Sequence, residues 1–228
     1  MKWEIEIQRQ KGPETESYRQ TFLYETEDAG QTLAKVLLEL NRLHPEEEIR
    51  FEHSCHQKKC GACAMVIEGR PRLACDTVLS EFSKKKRLRI EPLHKFPVIA
   101  DLIVDRSCLQ ERLKTMQVWA VESAVVPEKK ANAAYDAARC LQCGLCLEVC
   151  PNYEPGGSFY GSAAFVPAAG MLAAMPEKDG GAIRAAYREH VFEGCGKSLA
   201  CREICPAGID MDHLLSRSNG MVLWRKHD

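Results

Sequence analysis

Residues 140–151 have the sequence CLQCGLCLEVCP, in which two, two and three residues separate four cysteines and a proline follows the last. This spacing is typical of bacterial ferredoxins with two iron-sulfur clusters, where the fourth cysteine binds the other cluster. Thiolates are soft, negatively charged donors that suit iron. We therefore predict that Cys140, Cys143 and Cys146 bind one cluster and that Cys150 binds its neighbour.

A second run repeats this pattern incompletely. It contains Cys195, Cys201 and Cys205, followed by Pro206, but Ser198 stands where the pattern places a further cysteine. A serine hydroxyl is a poor and rarely deprotonated ligand for iron beside thiolates. The two runs together therefore lack one thiolate.

Exchange of the last cysteine between the runs gives one centre with four thiolates and one with three. The first would contain Cys140, Cys143, Cys146 and Cys205, and the second Cys150, Cys195 and Cys201. We predict a 4Fe-4S cluster at the first and a 3Fe-4S cluster at the second. A four-iron cluster with serine or water on its last iron is the alternative. Crossed ligation should also couple metal assembly to folding.

A third group of four cysteines lies earlier in the chain, at Cys55, Cys60, Cys63 and Cys75. Four and then two residues separate the first three, and eleven precede the fourth, which is plant-type 2Fe-2S spacing. A structural zinc site is the alternative, but zinc ligands usually form two close pairs. His53 and His56 are interpreted as surface loop residues. Cys108 is expected to be a buried structural thiol without a role.

The chain is predicted to fold as α+β, with a first domain over residues 1–96 and a helical second domain over 97–228. Alternating and helical apolar patterns predict strands at 3–9 and 18–26 and a helix at 31–43. Further short strands are expected at 49–51, 64–67, 72–74 and 88–91. Helices of the second domain are expected at 101–118, 130–138, 158–174, 181–192 and 211–218.

Composition excludes several classes of protein. Hydrophobic residues make up 45% and charged residues 28%, with a net charge of −1, so neither a disordered chain nor a nucleic-acid binder is indicated. The basic run 84–89 is interpreted as a solvated turn and strand edge. The uncharged stretch 155–176 contains Pro167 and several glycines, and we expect a helix packed inside the protein. We expect no secretory signal, and the sequence contains no dinucleotide fingerprint or phosphate loop.

Together these motifs resemble the iron-sulfur subunit of succinate dehydrogenase and fumarate reductase, over nearly the whole chain. The likeness rests on residues 54–65, 72–75, 96–99, 101–105, 140–146 and 150–151, and on Ser198. It implies a β-grasp plant-type 2Fe-2S ferredoxin domain followed by an all-helical bacterial dicluster ferredoxin domain. It also implies an electron-transfer subunit without a substrate site of its own.

The resemblance further implies two partners, a flavoprotein subunit with FAD and a membrane anchor or cytochrome b subunit with quinone and, in many members, haem b. The chain would then lie on the cytoplasmic side of the cell membrane, and electrons would pass through the 2Fe-2S, 4Fe-4S and 3Fe-4S clusters in that order. No nucleic-acid partner is expected. A relay subunit of another flavoprotein complex, of the thiol-linked fumarate reductase or 2-hydroxyacid oxidase type, is the alternative. A structural zinc-binding adaptor is a third.

Two departures from the family pattern lie beside the predicted three-thiolate centre. Ubiquinone-using relatives have a tryptophan shortly after the Cys-Pro pair and a histidine after the cysteine that matches Cys195. This chain has Asn152-Tyr153 and Gly196 there, which favours menaquinone. We expect Pro151, Gly196 and Ser198 to contact the clusters. Lys59 places a cation next to Cys60 and is expected to raise the potential of the first cluster.

Overall fold

The computed structural model describes residues 1–119, 128–174 and 180–223. The chain divides into two compact units, Met1–Arg106 and Ser107–Asp228, and each is described by itself. Strands and helices are both present, so the predicted mixed class is confirmed.

The first unit is built on a five-stranded sheet with the strand order β2-β1-β5-β3-β4. Strand β1 pairs antiparallel with β2 and parallel with β5, while β3 pairs antiparallel with both β4 and β5. The bounds are β1 Lys2–Arg9, β2 Tyr18–Glu25, β3 Ala64–Ile67, β4 Arg70–Leu73 and β5 Arg87–Glu91. Two short strands, β6 Val98–Ala100 and β7 Ile103–Val104, form a separate hairpin in the same unit.

The core of the first unit combines β1 with the helix α1, Leu33–Leu43. Trp3, Ile5 and Ile7 alternate along β1 and are fully buried. The apolar residues of α1 recur at helical spacing and are buried too, at Leu33, Val36, Leu37 and Leu40. Helix α1 begins where the Thr32 side chain accepts a hydrogen bond from the backbone N–H of Lys35. Single 3₁₀ turns follow at Pro45–Glu47, Ala74–Asp76 and Leu79–Phe82.

Two of the predicted elements, one in this unit and one at its border with the second domain, are wrong. Residues 49–51 form no strand, because the Asn41 side chain donates to the Ile49 carbonyl and accepts from its N–H, at 2.9 and 2.7 Å. The helix predicted over 101–118 begins only at Ser107, since β7 occupies residues 103–104. The basic run ends in β5, which is a central strand rather than an edge.

In the second unit, the regular elements among the described residues are helices. They are α2 Ser107–Thr115, α3 Glu128–Ala138, α4 Leu145–Glu148, α5 Ser162–Ala174, α6 Gly181–Tyr187, α7 Ala200–Ile204 and α8 Met211–Leu223. A π-helical turn, Arg188–Phe192, continues α6. The domain boundary expected at residue 96 lies before β6 and β7, which belong to the first compact unit.

Helix α5 occupies the uncharged stretch and packs inside the second unit, as predicted. Nine of its thirteen residues are buried, and Pro167 lies within it without ending it. It begins at Ser162 because Gly161 has a left-handed φ of 69°. No helix in the described part of the chain is both long and apolar enough to cross a bilayer.

Candidate metal centres

The first group of thiols lies around an irregular loop between α1 and β3. His56, Lys58 and Gly61 have φ values of 52°, 59° and 75°. Left-handed residues of this kind turn successive backbone N–H groups toward one concave side, where they bind anions. The N–H groups of this loop accordingly point at cysteine sulfurs.

Cys55 receives two of these hydrogen bonds. The backbone N–H of Gln57 lies 3.4 Å from its Sγ and that of Lys59 lies 3.2 Å away. These two donors, and the neighbouring Cys60, lower the pKa of Cys55 to about 7. The loop is therefore arranged to stabilise a thiolate.

Cys63 and Cys75 form the buried side of the same group. The N–H of Cys75 donates to Cys63 Sγ at 3.4 Å, and the N–H of Lys58 donates to Cys75 Sγ at 3.3 Å. Burial raises the pKa of Cys63 to about 12, and the nearby Cys75 and Cys60 thiols add to the increase. A bound cation would be needed to keep these adjacent sulfurs deprotonated together.

Arg106, the last residue of the first unit, holds this loop from outside. Its Nη1 donates to the carbonyl of Gly61 at 3.2 Å and its Nη2 to that of Ala62 at 3.0 Å, and it forms an ion pair with Glu52. The sequence pattern did not indicate this residue, because a contact 44 residues away leaves no local signal.

The second group of thiols lines one cavity in the second unit. Its walls include the four cysteines of the predicted 4Fe-4S centre, Cys140, Cys143, Cys146 and Cys205. Burial raises the pKa of Cys143 to about 11, and mutual repulsion between the thiols adds to it. Burial likewise raises the pKa of Cys140 and Cys146. We name this cavity the four-thiol site.

The remaining three predicted ligands line a second cavity, which we name the three-thiol site. They are Cys150, Cys195 and Cys201. Ser198 and Gly196 also line it, and their contact with a cluster stays a prediction. Burial raises the pKa of Cys201, a hydrogen bond from Ser162 opposes that rise, and Cys150 and Cys195 reinforce it.

The two sites share wall residues. Ser162, the first residue of α5, and Met211, the first residue of α8, line both cavities. Cys146 of the four-thiol site is also close enough to Cys201 of the three-thiol site for their charges to interact. The structure thus brings the thiols together in the two crossed sets, while their roles as iron ligands remain predictions.

Other residues singled out from the sequence lie apart from the cavities. Pro151 is exposed and is not among the residues that line either one. Cys108 is only partly buried, not fully as expected, and interacts with Tyr153. His53 and His56 are exposed, as predicted, and their ring nitrogens lie 3.2 Å apart.

The donor set fits iron-sulfur clusters. Thiols and backbone N–H groups dominate the first site, and thiols with apolar side chains dominate the other two. Among the described residues, no three His, Cys, Asp or Glu side chains are arranged to hold one metal ion.

Two family models match the chain. One, described as a 2Fe-2S iron-sulfur cluster binding domain, matches residues 4–111, and the other, a 4Fe-4S dicluster domain, matches residues 136–209. These matches and the three groups of thiols define the class of protein. It is a multicluster iron-sulfur protein with a 2Fe-2S domain followed by a dicluster domain.

Comparison with known proteins identifies the family. The chain is 31% identical over 183 residues to the succinate dehydrogenase iron-sulfur subunit of Bacillus subtilis, covering 75% of this chain and 71% of that protein. It is 32% identical over 182 residues to the fumarate reductase iron-sulfur subunit of Mycobacterium tuberculosis, covering 73% and 71%. The fold is similar to a chain of the Mycobacterium smegmatis Sdh1 complex in the apo form, with a TM-score of 0.79, 23% identity and coverage of 100% and 98%.

The chain therefore belongs to the family of iron-sulfur subunits of succinate dehydrogenase and fumarate reductase. Its role is electron transfer within an oxidoreductase complex.

Proposed function

We propose that this chain relays electrons between FAD in a flavoprotein subunit and quinone at a membrane anchor subunit. The observation that carries the proposal is the pair of cavities in the second unit, one lined by four thiols and the other by three with Ser198. When bound, iron-sulfur clusters supply one-electron carriers whose potentials depend on cluster type and surroundings.

The proposed ligands follow the crossed arrangement. Cys55, Cys60, Cys63 and Cys75 would hold a 2Fe-2S cluster; Cys140, Cys143, Cys146 and Cys205 a 4Fe-4S cluster; and Cys150, Cys195 and Cys201 a 3Fe-4S cluster. Ser198 lines the three-thiol site at the position of the missing thiolate. The shared walls at Ser162 and Met211 support direct electron transfer between the two neighbouring sites.

The residues of this chain hold charge in place and exclude water. Backbone N–H groups stabilise the sulfurs of the first site. Phe165 and Val191, both buried, provide apolar walls for the three-thiol site. A dry, rigid surrounding limits the rearrangement that accompanies each change of charge. Metal binding must displace protons from thiols whose pKa values burial has raised.

We also infer a β-grasp arrangement for the first unit and an all-helical second unit. The five-stranded sheet with α1, and the helices α2 to α8 among the described residues, support this assignment. By this account the chain is peripheral and lies at the cytoplasmic face of the cell membrane, where the anchor subunit retains it.

Menaquinone is the quinone we propose. Asn152 and Gly196, the two departures from ubiquinone-using relatives, both line the three-thiol site. They are also neighbours, because a Cβ atom added to Gly196 would lie 2.8 Å from Asn152 Oδ1. A larger residue at position 196 would therefore require the Asn152 side chain to move, so the two departures lie on one surface.

Purification of the complex with its partner subunits tests the function. We expect succinate oxidation or fumarate reduction coupled to a quinone, with a menaquinone analogue preferred over a ubiquinone analogue. A complex inactive with both dicarboxylates would contradict the proposal. Activity with a soluble thiol and not with quinone would instead support the alternative flavoprotein complex.

A further inference from the structure

Gln142 lies between the first two cysteines of the four-thiol site and contacts one of them. Its side-chain Nε2 is 3.2 Å from Cys140 Sγ and 2.9 Å from the backbone oxygen of Ala163. A backbone oxygen can only accept, so the amide nitrogen of Gln142 must face Ala163. That nitrogen carries two N–H groups, and the second is directed to the sulfur.

Pro167 explains why the Ala163 carbonyl is available to Gln142. In a regular α-helix the carbonyl of residue 163 accepts from the N–H of residue 167, but proline has no N–H. Pro167 lies inside α5, four residues after Ala163. Gln142 donates to the carbonyl that the proline leaves unpaired, and this contact fixes the orientation of its amide group.

The position of Gln142 is also fixed by its backbone. Gln142 has a φ of 50°, in the left-handed region, and its side chain lines the four-thiol site together with Cys140 and Ala163. The side-chain oxygen Oε1 is buried and has no hydrogen-bond partner among the residues that the structure describes. A buried oxygen of this kind costs free energy. The fold therefore holds the amide at the sulfur although its oxygen gains no hydrogen bond there.

We propose that Gln142 is a hydrogen-bond donor that raises the reduction potential of the four-thiol centre, a role that rests on the proposed function. An added electron makes the cluster and its cysteine sulfurs more negative. An N–H donor directed at Cys140 therefore stabilises the reduced state more than the oxidised state. The residue sets the potential of one centre without binding iron.

Two variants separate this role from packing. Gln142→Leu keeps a side chain of similar size and removes both N–H groups. Gln142→Glu keeps the shape almost unchanged but cannot donate to both the sulfur and the Ala163 carbonyl, and when ionised it repels the thiolates. A packing role predicts that Gln142→Leu, which is uncharged and similar in size, keeps the wild-type potential, whereas Gln142→Glu lowers it through its charge in either case. A donor role predicts that both variants lower the potential and that Gln142→Glu lowers it more.

The measurement is a redox titration of the purified holo-complex, with the four-iron signal followed by electron paramagnetic resonance. We expect Gln142→Leu to reduce the one-electron reduction equilibrium constant on the order of tenfold, which is about 59 mV in midpoint potential. The three-iron midpoint in the same sample should stay unchanged and serves as an internal reference.

Gln117→Leu is the matched control, because Gln117 is also a glutamine with a positive φ, of 53°, and its side chain is exposed. It should leave all midpoints at their wild-type values. An unchanged four-iron midpoint in Gln142→Leu, or a wild-type midpoint in Gln142→Glu, would overturn the inference and leave the proposed function standing. If Gln142→Leu does not assemble, Gln142→Met, which is also uncharged and has no N–H group, takes its place in the same comparison. Absence of a four-iron signal from the wild type would overturn both.

Discussion

Arg9 and Asp101 form a buried ion pair in the first unit, with 3.1 Å between Arg9 Nε and Asp101 Oδ1 and side chains only 7% and 1% exposed. The Asp101 carboxylate also accepts hydrogen bonds from the backbone N–H groups of Gln10 and Arg50, both at 3.0 Å. It therefore ties the β6–β7 hairpin to the end of β1. Burial alone would raise the pKa of Asp101, but these hydrogen bonds and the Arg9 charge hold it below its ordinary value of 3.8.

Asp101→Asn should destabilise the protein by about 3–5 kcal/mol near neutral pH, because it leaves the Arg9 guanidinium buried without its counter-charge. Asparagine tolerates the left-handed backbone at this position, where φ is 47°. Urea unfolding of the full chain, followed by circular dichroism, measures the loss. The exposed Lys2–Glu25 pair provides the control, and Glu25→Gln should cost less than about 1 kcal/mol.

The same pair gives a pH dependence. A carboxylate whose folded pKa is lowered adds stability above its unfolded pKa, and this is lost only as pH falls through the folded value. The pKa of Asp101 lies below 3.8. The difference in free energy of unfolding between the wild type and Asp101→Asn should therefore be equal at about pH 6 and about pH 8. A gap that narrows toward pH 6 would show that the carboxylate is not held in its charged form.

The Arg106→Gln variant should lose its 2Fe-2S centre about tenfold faster than the wild type when a chelator is added. The substitution removes charged hydrogen bonds to the Gly61 and Ala62 carbonyls, each worth about 1.5–3 kcal/mol. Loss of visible circular dichroism from the holo-protein measures the rate. Arg70→Gln, at an exposed position in β4, is the control. Equal rates for the two variants would mean that Arg106 does not hold the loop.

Gly161→Ala should destabilise the second unit by about 1–3 kcal/mol. Gly161 has a φ of 69°, which costs an alanine about 1–2 kcal/mol. An added Cβ would also overlap a methyl group of Leu147, which is fully buried. Gly181→Ala is the matched control, because no atom of the described residues lies within 4 Å of its added Cβ. In thermal unfolding, Gly161→Ala should therefore have a clearly lower melting temperature than Gly181→Ala. The reverse order would contradict the claim that position 161 requires glycine.

Cys205→Ser should abolish the four-iron signal and retain the three-iron signal. Cys205 lines the four-thiol site, although the cysteine nearest to it along the chain, Cys201, lines the three-thiol site. Electron paramagnetic resonance of the purified complex distinguishes the two centres. Cys108 is not among the residues that line either cavity. Cys108→Ser should therefore leave both signals unchanged. Loss of the three-iron signal with the four-iron signal intact would exclude crossed ligation.

The grouping of the thiols could be predicted from sequence because it depends on short, fixed spacings. Even the long-range partnership of Cys205 with Cys140 followed from the exchange of the last cysteine between the two runs, and Ser198 only set the other centre at three thiolates. Sheet strands with alternating patterns were predictable for the same reason, since one buried face imposes a period of two. Both β1 and β2 lie within one residue of their predicted bounds.

The rest depends on contacts between distant residues, which sequence periodicity does not record. Residues 49–51 have a strand-like composition, yet the Asn41 side chain satisfies the Ile49 backbone. Asp101 interrupts a helical pattern because its N–H bonds to the Gln10 carbonyl. Gln142 carries a contact to Cys140 that depends on Pro167, and a glutamine between two cysteines offers no sign of it.

The most direct test of the central claim is a redox titration of the purified complex by electron paramagnetic resonance, combined with iron, sulfide and zinc analysis. The account predicts one 2Fe-2S, one 4Fe-4S and one 3Fe-4S signal, and loss of the three-iron signal in Ser198→Cys, where the missing thiolate is restored. Bound zinc in place of iron, or a wild-type spectrum without a three-iron signal, would contradict it.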